Sequence, residues 1–260
     1  MANYFRQRSQ PYQPGQSAAF KLSRSKIELF MQCPRCFWLD ERLKIKRPSG
    51  PPFNINKTID ELFKKEFDKH REAGTPHPIM LDNKIEAVPY QNANLEKWRQ
   101  ALGNNAGVDI IHQSTNLHVF GAIDDVWVNP AGELIVVDYK ATSKNKEVNI
   151  DSDWQISYKR QIEIYQWLLR RNGFTVSKTG YFVYTNARMD AAGFDNKLEF
   201  TTKLIPYLGD DGWIEPTLEK MKYCLENDMP AVGMAAMGGA CDFCSYARQR
   251  TELTLKALKT

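Results

Sequence analysis

The sequence predicts an α/β fold, a central mixed sheet flanked by helices, with a small helical annex that four cysteines draw together from the N- and C-terminal regions. Three observations predict it. Two β-type runs, His118 to Val128 and Glu133 to Lys140, are joined by Asn129-Pro130-Ala131-Gly132, a turn signal that makes them an antiparallel hairpin. A long helical run from about Asp153 to Asn172 and further strand runs follow, the interleaving expected of a layered α/β domain. Finally, Cys33-Pro-Arg-Cys36 and Cys241-Asp-Phe-Cys244 stand near opposite ends of the chain at a spacing suited to one metal centre.

Taken in order, residues 1 to about 20 are rich in Gln, Pro and Ser without periodicity and read as a flexible tail. One domain is expected from residue 21 onward, with 21–50 and 228–250 forming the annex. Ser25-Lys26-Ile27-Glu28 has capping-box spacing, and Ile27, Phe30 and Met31 continue a short helix until Pro34. After the break at Pro48-Ser49-Gly50-Pro51-Pro52, residues Ile55 to Arg71 form an amphipathic helix with Ile55, Ile59, Leu62, Phe63 and Phe67 on one arc. Glu66 and His70 lie within that arc and Asp60 at its edge. A helix over Leu95, Trp98 and Leu102 ends near Gly103, and strands are expected at Val108 to His112, in the hairpin, at Gly180 to Thr185 and at Lys197 to Ile205. A helix from Trp213 to Asn227 leads into a Gly/Met-rich loop and the second cysteine pair.

Composition bounds the function. With 42% hydrophobic and 25% charged residues the chain has the ordinary globular mix, which excludes disordered and membrane-spanning classes. No apolar run reaches a membrane span and the first residues lack the apolar stretch of a signal peptide, so the expected location is the cytoplasm, with no membrane partner. There, five cysteines point to metal rather than disulfides. An excess of 35 Lys+Arg over 31 Asp+Glu permits a nucleic-acid partner without requiring one. Basic clusters at Lys44, Lys46 and Arg47 and at Lys144, Lys146, Lys159 and Arg160 lie close to the motifs that follow.

Residues two apart in a strand share a face, so Asp138 and Lys140 project together from the apolar run Val136-Val137-Asp138-Tyr139-Lys140. The hairpin carries Asp124 toward them. Two carboxylates held about 4 Å apart repel by roughly 4 kcal/mol at an effective dielectric of 20, so a fold that pairs them brings a cation or a proton between them. Oxygen donors select a hard ion, Mg²⁺ or Mn²⁺, with Lys140 placed to orient an attacking water or neutralise developing charge. A plain reading competes: Asp138 and Lys140 as a strand-end ion pair beside a surface acid.

The order of Gly121-Ala-Ile-Asp124, Asp138-Tyr-Lys140 and Gln161-Ile-Glu-Ile-Tyr165 resembles the RecB-like branch of the PD-(D/E)XK nuclease superfamily, including the iron-sulfur exonucleases of CRISPR adaptation and AddB-type nuclease domains. The resemblance implies a restriction-endonuclease-like fold and hydrolysis of DNA phosphodiester bonds at single-stranded or free duplex ends. It assigns metal binding to Asp124, Asp138 and the Tyr139 carbonyl, and catalysis to these acids with Lys140, Gln161 and Tyr165. A helicase or other nucleic-acid-processing protein is the implied partner. Where the iron-sulfur members carry Gly-x-x-x-His, this chain has Asn56-Lys-Thr-Ile-Asp60, which makes Asp60 the candidate third ligand. The resemblance favours a [4Fe-4S] cluster on Cys33, Cys36, Cys241 and Cys244. Those members divide their cysteines one and three, however, and this chain divides them two and two, which keeps zinc as the alternative. Cys224 reads as core. Phe37, Trp38 and Trp154 are candidates for stacking on bases. Two other classes stay open: a non-catalytic nucleic-acid-binding module held by the four cysteines, and a redox or sensing protein built on them.

Overall fold

A computed structural model of the chain describes residues 10–50, 53–101, 103, 106–231 and 239–258. In chain order its elements are β1 (Phe20–Ser23), α1 (Arg24–Gln32), α2 (Pro34–Leu43), α3 (Asn54–Ala73), α4 (Pro78–Asp82), β2 (Val88–Pro89), α5 (Leu95–Arg99), β3 (Val108–His112) and β4 (Leu117–Gly121). Then come β5 (Asp125–Val128), β6 (Leu134–Thr142), a 3₁₀ turn at Asp153–Gln155, α6 (Ile156–Arg171), β7 (Thr179–Ala187), β8 (Phe200–Leu208), α7 (Ile214–Glu226) and α8 (Asp242–Ala257). The described residues form two compact units. The described residues within Met1–Gly50, Ile111–His118 and Glu215–Thr260 form the first, and those within Pro51–Ile110 and Val119–Ile214 the second.

The first unit is mostly helical and also carries β1. An extended Cys33 separates α1 from α2, and Pro34 opens α2 at a position where its missing N–H costs nothing. Phe30 and Phe37 meet edge-to-face at 5.3 Å, and Phe37 is fully buried. The α2 side chains Trp38 and Arg42 donate to the carbonyls of Asn227 and Leu225, satisfying carbonyls at the end of α7. The expected capping box at Ser25 is absent: α1 begins at Arg24 behind Ser23, with no side-chain cap. Within the expected tail, Tyr12 is buried, packs edge-on against Phe20 and donates its hydroxyl to Glu226, because its ring finds an apolar site that its Gln- and Pro-rich surroundings do not advertise. Residues 1–9 lie outside the described residues.

The second unit is a mixed sheet flanked by helices, with strand order β2-β5-β6-β7-β8. Only β6 and β7 pair in parallel, and α6 makes the crossover between them. The central strand β6 is buried along Leu134 to Tyr139, as a strand covered on both faces should be. Ile135, Val137 and Tyr139 face α3, packing with Phe67, Trp127 and Val183. Val136, Asp138 and Lys140 alternate to the face that α6 covers. Gly180 on β7 permits that cover: a Cβ there would stand 2.7 Å from Ile162 Cγ2 and 2.9 Å from the Val136 carbonyl oxygen. On α3 only the Phe63 and Phe67 part of the expected arc packs inward, while Ile55 and Leu62 remain exposed.

The expected strand His118 to Val128 divides. It ends as β4 at Gly121 and resumes as β5 at Asp125, the two halves joining different sheets, β4 in a three-stranded sheet of order β1-β4-β3. Gly107, at φ +82°, lies against this break, where a Cβ would come within 2.6 Å of the Gly121 carbonyl oxygen. The strand-depleted residues Gly121, Ala122, Asp124 and Asp125 mark the interruption, which the β-type runs on either side obscure. The expected helix near Leu95 closes early, at Arg99, and α8 extends beyond the second cysteine pair where no helix was foreseen.

Candidate active site and the four-cysteine centre

The break before β5 positions the acidic pair. Asp125 pairs with Val137 at the end of the antiparallel ribbon, and Asp124 occupies the next step outward, with the Tyr139 backbone N–H donating to its Oδ2 at 3.1 Å. Asp138 is fully buried, and neither carboxylate oxygen receives a directed hydrogen bond. Its charge is met by the ammonium of Lys140, which lies against Oδ2 as an ion pair. Two buried carboxylates, Asp124 and Asp138, share this one ammonium, and a bound cation or a retained proton resolves such an excess of negative charge.

Lys140 leads to α6. Its Nζ donates to Gln161 Oε1 at 3.4 Å, and Gln161 Nε2 donates to Tyr165 Oη at the same distance. Asp138, Lys140, Gln161 and Tyr165 therefore run as one connected row, and the helical i,i+4 spacing sets its last step. Tyr158, one turn earlier on α6, places its ring 4.7 Å from the Lys140 ammonium. Burial first, and the Asp138 charge second, push Asp124 up to about 7, against the pull of Lys140 and the Tyr139 N–H. Asp60 is raised by burial and then by Asp124, so it feels the same acidic field. Its Oδ2, however, receives Lys64 at 2.6 Å, and Asp60, Asp124 and Asp138 do not gather as tightly as the cysteines do.

The sequence reading missed the layer on the other face. Asp125 is fully buried and accepts from the Tyr139 hydroxyl at 2.7 Å, from Arg99 at 3.1 Å and from Arg71. Arg99 also forks onto both oxygens of Asp68 at 2.9 Å, and Arg71 Nε donates to the Tyr90 carbonyl at 2.8 Å. Two arginines balance two aspartates. The adjacent acids Asp124 and Asp125 thus point to opposite faces, one to the candidate metal position and one into a closed ionic network. A signal existed: two acids in succession on a strand must diverge, and Arg71 sits one helical turn after the core residue Phe67.

The four cysteines are buried together, their sulfurs all within 4.8 Å of one another, the one such quartet of potential ligands among the described residues. The sulfurs stand 3.8 Å apart for Cys33–Cys244, 3.7 Å for Cys36–Cys241 and 3.6 Å for Cys36–Cys244. Burial alone would raise the Cys241 thiol; hydrogen bonds from the Cys244 backbone N–H and the neighbouring thiols outweigh it and bring Cys241 down to about 7. Burial and the adjoining sulfurs raise Cys244. Four thiols so crowded cannot all ionise unless a cation shares them, and the quartet fits a metal on the chemistry of its donors. Arg47 sets Nη2 3.5 Å from Cys241 Sγ.

Other candidates resolve simply. Phe37 and Trp38 are core residues, whereas Trp154 is exposed, with Lys144 Nζ 5.3 Å from its ring centroid. Glu66 accepts from His77, His70 bonds Thr75, and Cys224 is buried. No described helix is long and apolar enough to cross a membrane.

The mixed α/β sheet presents two acids and a lysine at the end of its central ribbon, an arrangement able to hold a hard cation. The chain belongs to the PD-(D/E)XK nuclease superfamily, whose family model matches residues 54–249, from the start of α3 into α8. Membership brings hydrolytic nuclease chemistry that depends on divalent metal ions. The matched span includes every acidic-site residue and the second cysteine pair but begins after Cys33 and Cys36. No curated protein matches the sequence. Among solved structures, the crystal structure of SSO0001 is similar over 80% of this chain and 78% of its own, at 15% identity and a TM-score of 0.37.

Proposed function

We propose that the chain is a DNA nuclease of the RecB-like branch, hydrolysing phosphodiester bonds at single-stranded or free duplex ends with Mg²⁺ or Mn²⁺ held by Asp124, Asp138 and the Tyr139 carbonyl. The observation that carries this reading is the buried Asp138, ion-paired to Lys140 but with no directed hydrogen bond, beside Asp124. Oxygen donors suit a hard cation, and Asp60, which feels the charge of Asp124, is the candidate to complete the set. Bound there, the ion would stabilise charge on the phosphate and favour deprotonation of an attacking water. Lys140 adds a second positive charge at the same point, held by Gln161, whose amide Tyr165 keeps turned toward it. Asp124 must release its proton to serve as a ligand. Iron-sulfur exonuclease kinship, the DNA substrate and a helicase-type partner rest on the motif order Gly121-x-x-Asp124, Asp138-x-Lys140, Gln161-x-x-x-Tyr165. The test is a 5′-labelled single strand, a blunt duplex and an RNA strand, each incubated with protein and Mg²⁺, Mn²⁺ or EDTA. Metal-dependent shortening of the DNA strands that disappears in Asp138→Ala supports the reading; retention of cleavage by that variant contradicts it.

For the cysteine centre, the sulfur spacing favours a single zinc ion. Zn–S bonds of about 2.3 Å place tetrahedral ligands about 3.8 Å apart, in line with three pairs at 3.6 to 3.8 Å and with all four sulfurs lying within 4.8 Å of one another. A four-iron cluster interposes iron atoms between the thiolates and needs the sulfurs farther apart. The two-and-two division of the cysteines supports the same choice, and purified protein should be colourless with one zinc per chain.

A further inference from the structure

The first unit carries a groove of about 540 Å³ between the end of α2, the segment after it and one side of α8, with Cys36 and Cys244 in its wall. Its lining is strongly one-signed: Arg35, Lys46, Arg47, Arg248 and Arg250 against Glu252 alone. Three of these cations, Lys46, Arg248 and Arg250, have no ion-pair partner among the described residues. Unneutralised like charges gathered in a concave wall repel one another, and a polyanion relieves the repulsion. Two aromatic rings share the groove. Tyr246 is 71% exposed and Phe243 44%, and the Arg47 guanidinium stacks 4.5 Å over the Phe243 ring. On a soluble surface, exposed aromatics set among free arginines fit bases and phosphates together better than a simple anion.

We propose that this groove binds a single-stranded nucleic acid, its phosphates on Lys46, Arg248 and Arg250 and its bases stacked on Tyr246 and Phe243. The acidic centre belongs to the other unit of the chain, so the groove is a second binding site that extends the nuclease reading without depending on its chemistry. The quartet beside it fixes one wall, since Cys244 lies on α8 and Cys36 on α2. A loaded metal centre would hold the two helices at the separation the strand requires.

The test is fluorescence anisotropy of labelled dT15 and U15 with the full chain, zinc-loaded and in the absence of Mg²⁺ and Mn²⁺, across a salt series. Stacking on one ring is worth roughly 1–3 kcal/mol, so Tyr246→Ala should weaken binding by roughly five- to hundredfold while Tyr246→Phe retains it. The double variant R248A/R250A should reduce the slope of log affinity against log salt by about 1.4, two phosphate contacts at about 0.7 each. These side chains are exposed, so zinc content and circular dichroism should not change. Unaltered affinity and slope in both variants would overturn the proposal. So would a polyglutamate peptide bound as tightly as the oligonucleotides, or indifference to Tyr246→Ala, since either reduces the groove to a general anion surface. If the wild type fails to cleave DNA yet shows these effects, the nuclease reading falls and the groove stands. If it cleaves but the groove variants bind normally, the reverse holds.

Discussion

Tyr139 ties the two faces of the central ribbon together: its hydroxyl donates to Asp125 at 2.7 Å while its backbone N–H donates to Asp124 at 3.1 Å. One residue thus braces both members of the acidic pair at 124 and 125, and it lies between Asp138 and Lys140 in the sequence. The consequence is that two neighbouring aspartates should respond oppositely to substitution.

Asp125→Ala leaves Arg71 and Arg99 buried without their shared anion, and should destabilise the protein by about 3–5 kcal/mol. Asp124→Asn removes a like charge from beside Asp138 and should leave the metal-free stability unchanged or improved while abolishing cleavage. Urea unfolding in EDTA, paired with an activity assay, separates the two. Equal destabilisation by both substitutions would contradict the division of labour.

The same pairing makes stability depend on pH. Asp124 keeps its proton in the folded chain up to about 7, whereas an unfolded Asp loses it near 3.9. Between those values the folded state binds more protons than the unfolded one, so the Asp124 contribution lowers stability as pH rises. Chemical unfolding of the metal-free protein at pH 5 and 7.5 should show the decline for wild type and a smaller one for Asp124→Asn. Mn²⁺ affinity should rise over the same interval as the proton leaves.

Gly180→Ala tests the packing that brings α6 to the sheet. The added methyl meets Ile162 Cγ2 and the Val136 carbonyl, so the helix must shift, at a cost of about 1–3 kcal/mol. Gln161 would move with it, away from Lys140. Thermal unfolding and turnover should fall together, and a silent substitution would show that the close approach has no role.

At the cysteine centre, Cys36→Ser should lower bound zinc below one per chain, and a strong chelator should unfold the first unit. Metal analysis together with circular dichroism checks both. A brown protein containing iron and sulfide would reverse the preference for zinc.

Much of this was legible in the sequence, for identifiable reasons. Strand alternation put Asp138 and Lys140 on one face, helical spacing put Gln161 and Tyr165 together, and the two C-x-x-C units announced the buried quartet. What stayed hidden depended on tertiary partners. The Asp125 network needs Arg71 from α3 and Arg99 from the end of α5, far apart in sequence, and no local pattern links them. The break at residues 122–124 is marked by Gly121-Ala122 and Asp124-Asp125, residue types depleted in strands, but the β-type runs on either side outweighed them. Tyr12 is buried in a segment whose Gln- and Pro-rich composition argues for disorder. The helix α8, with its mixed basic and apolar exposed surface, lacks the one-sided periodicity that marks a core-facing helix.

The most direct test of the account is a count of hard-metal sites at the carboxylates. Calorimetric or paramagnetic-resonance titration of zinc-loaded protein with Mn²⁺ at pH 7.5 should give one site per chain, lost in Asp138→Asn and kept in Lys140→Met, which removes the lysine's charge but no ligand. Mn²⁺ binding that survives Asp138→Asn undiminished would contradict the claim that this buried carboxylate holds the ion.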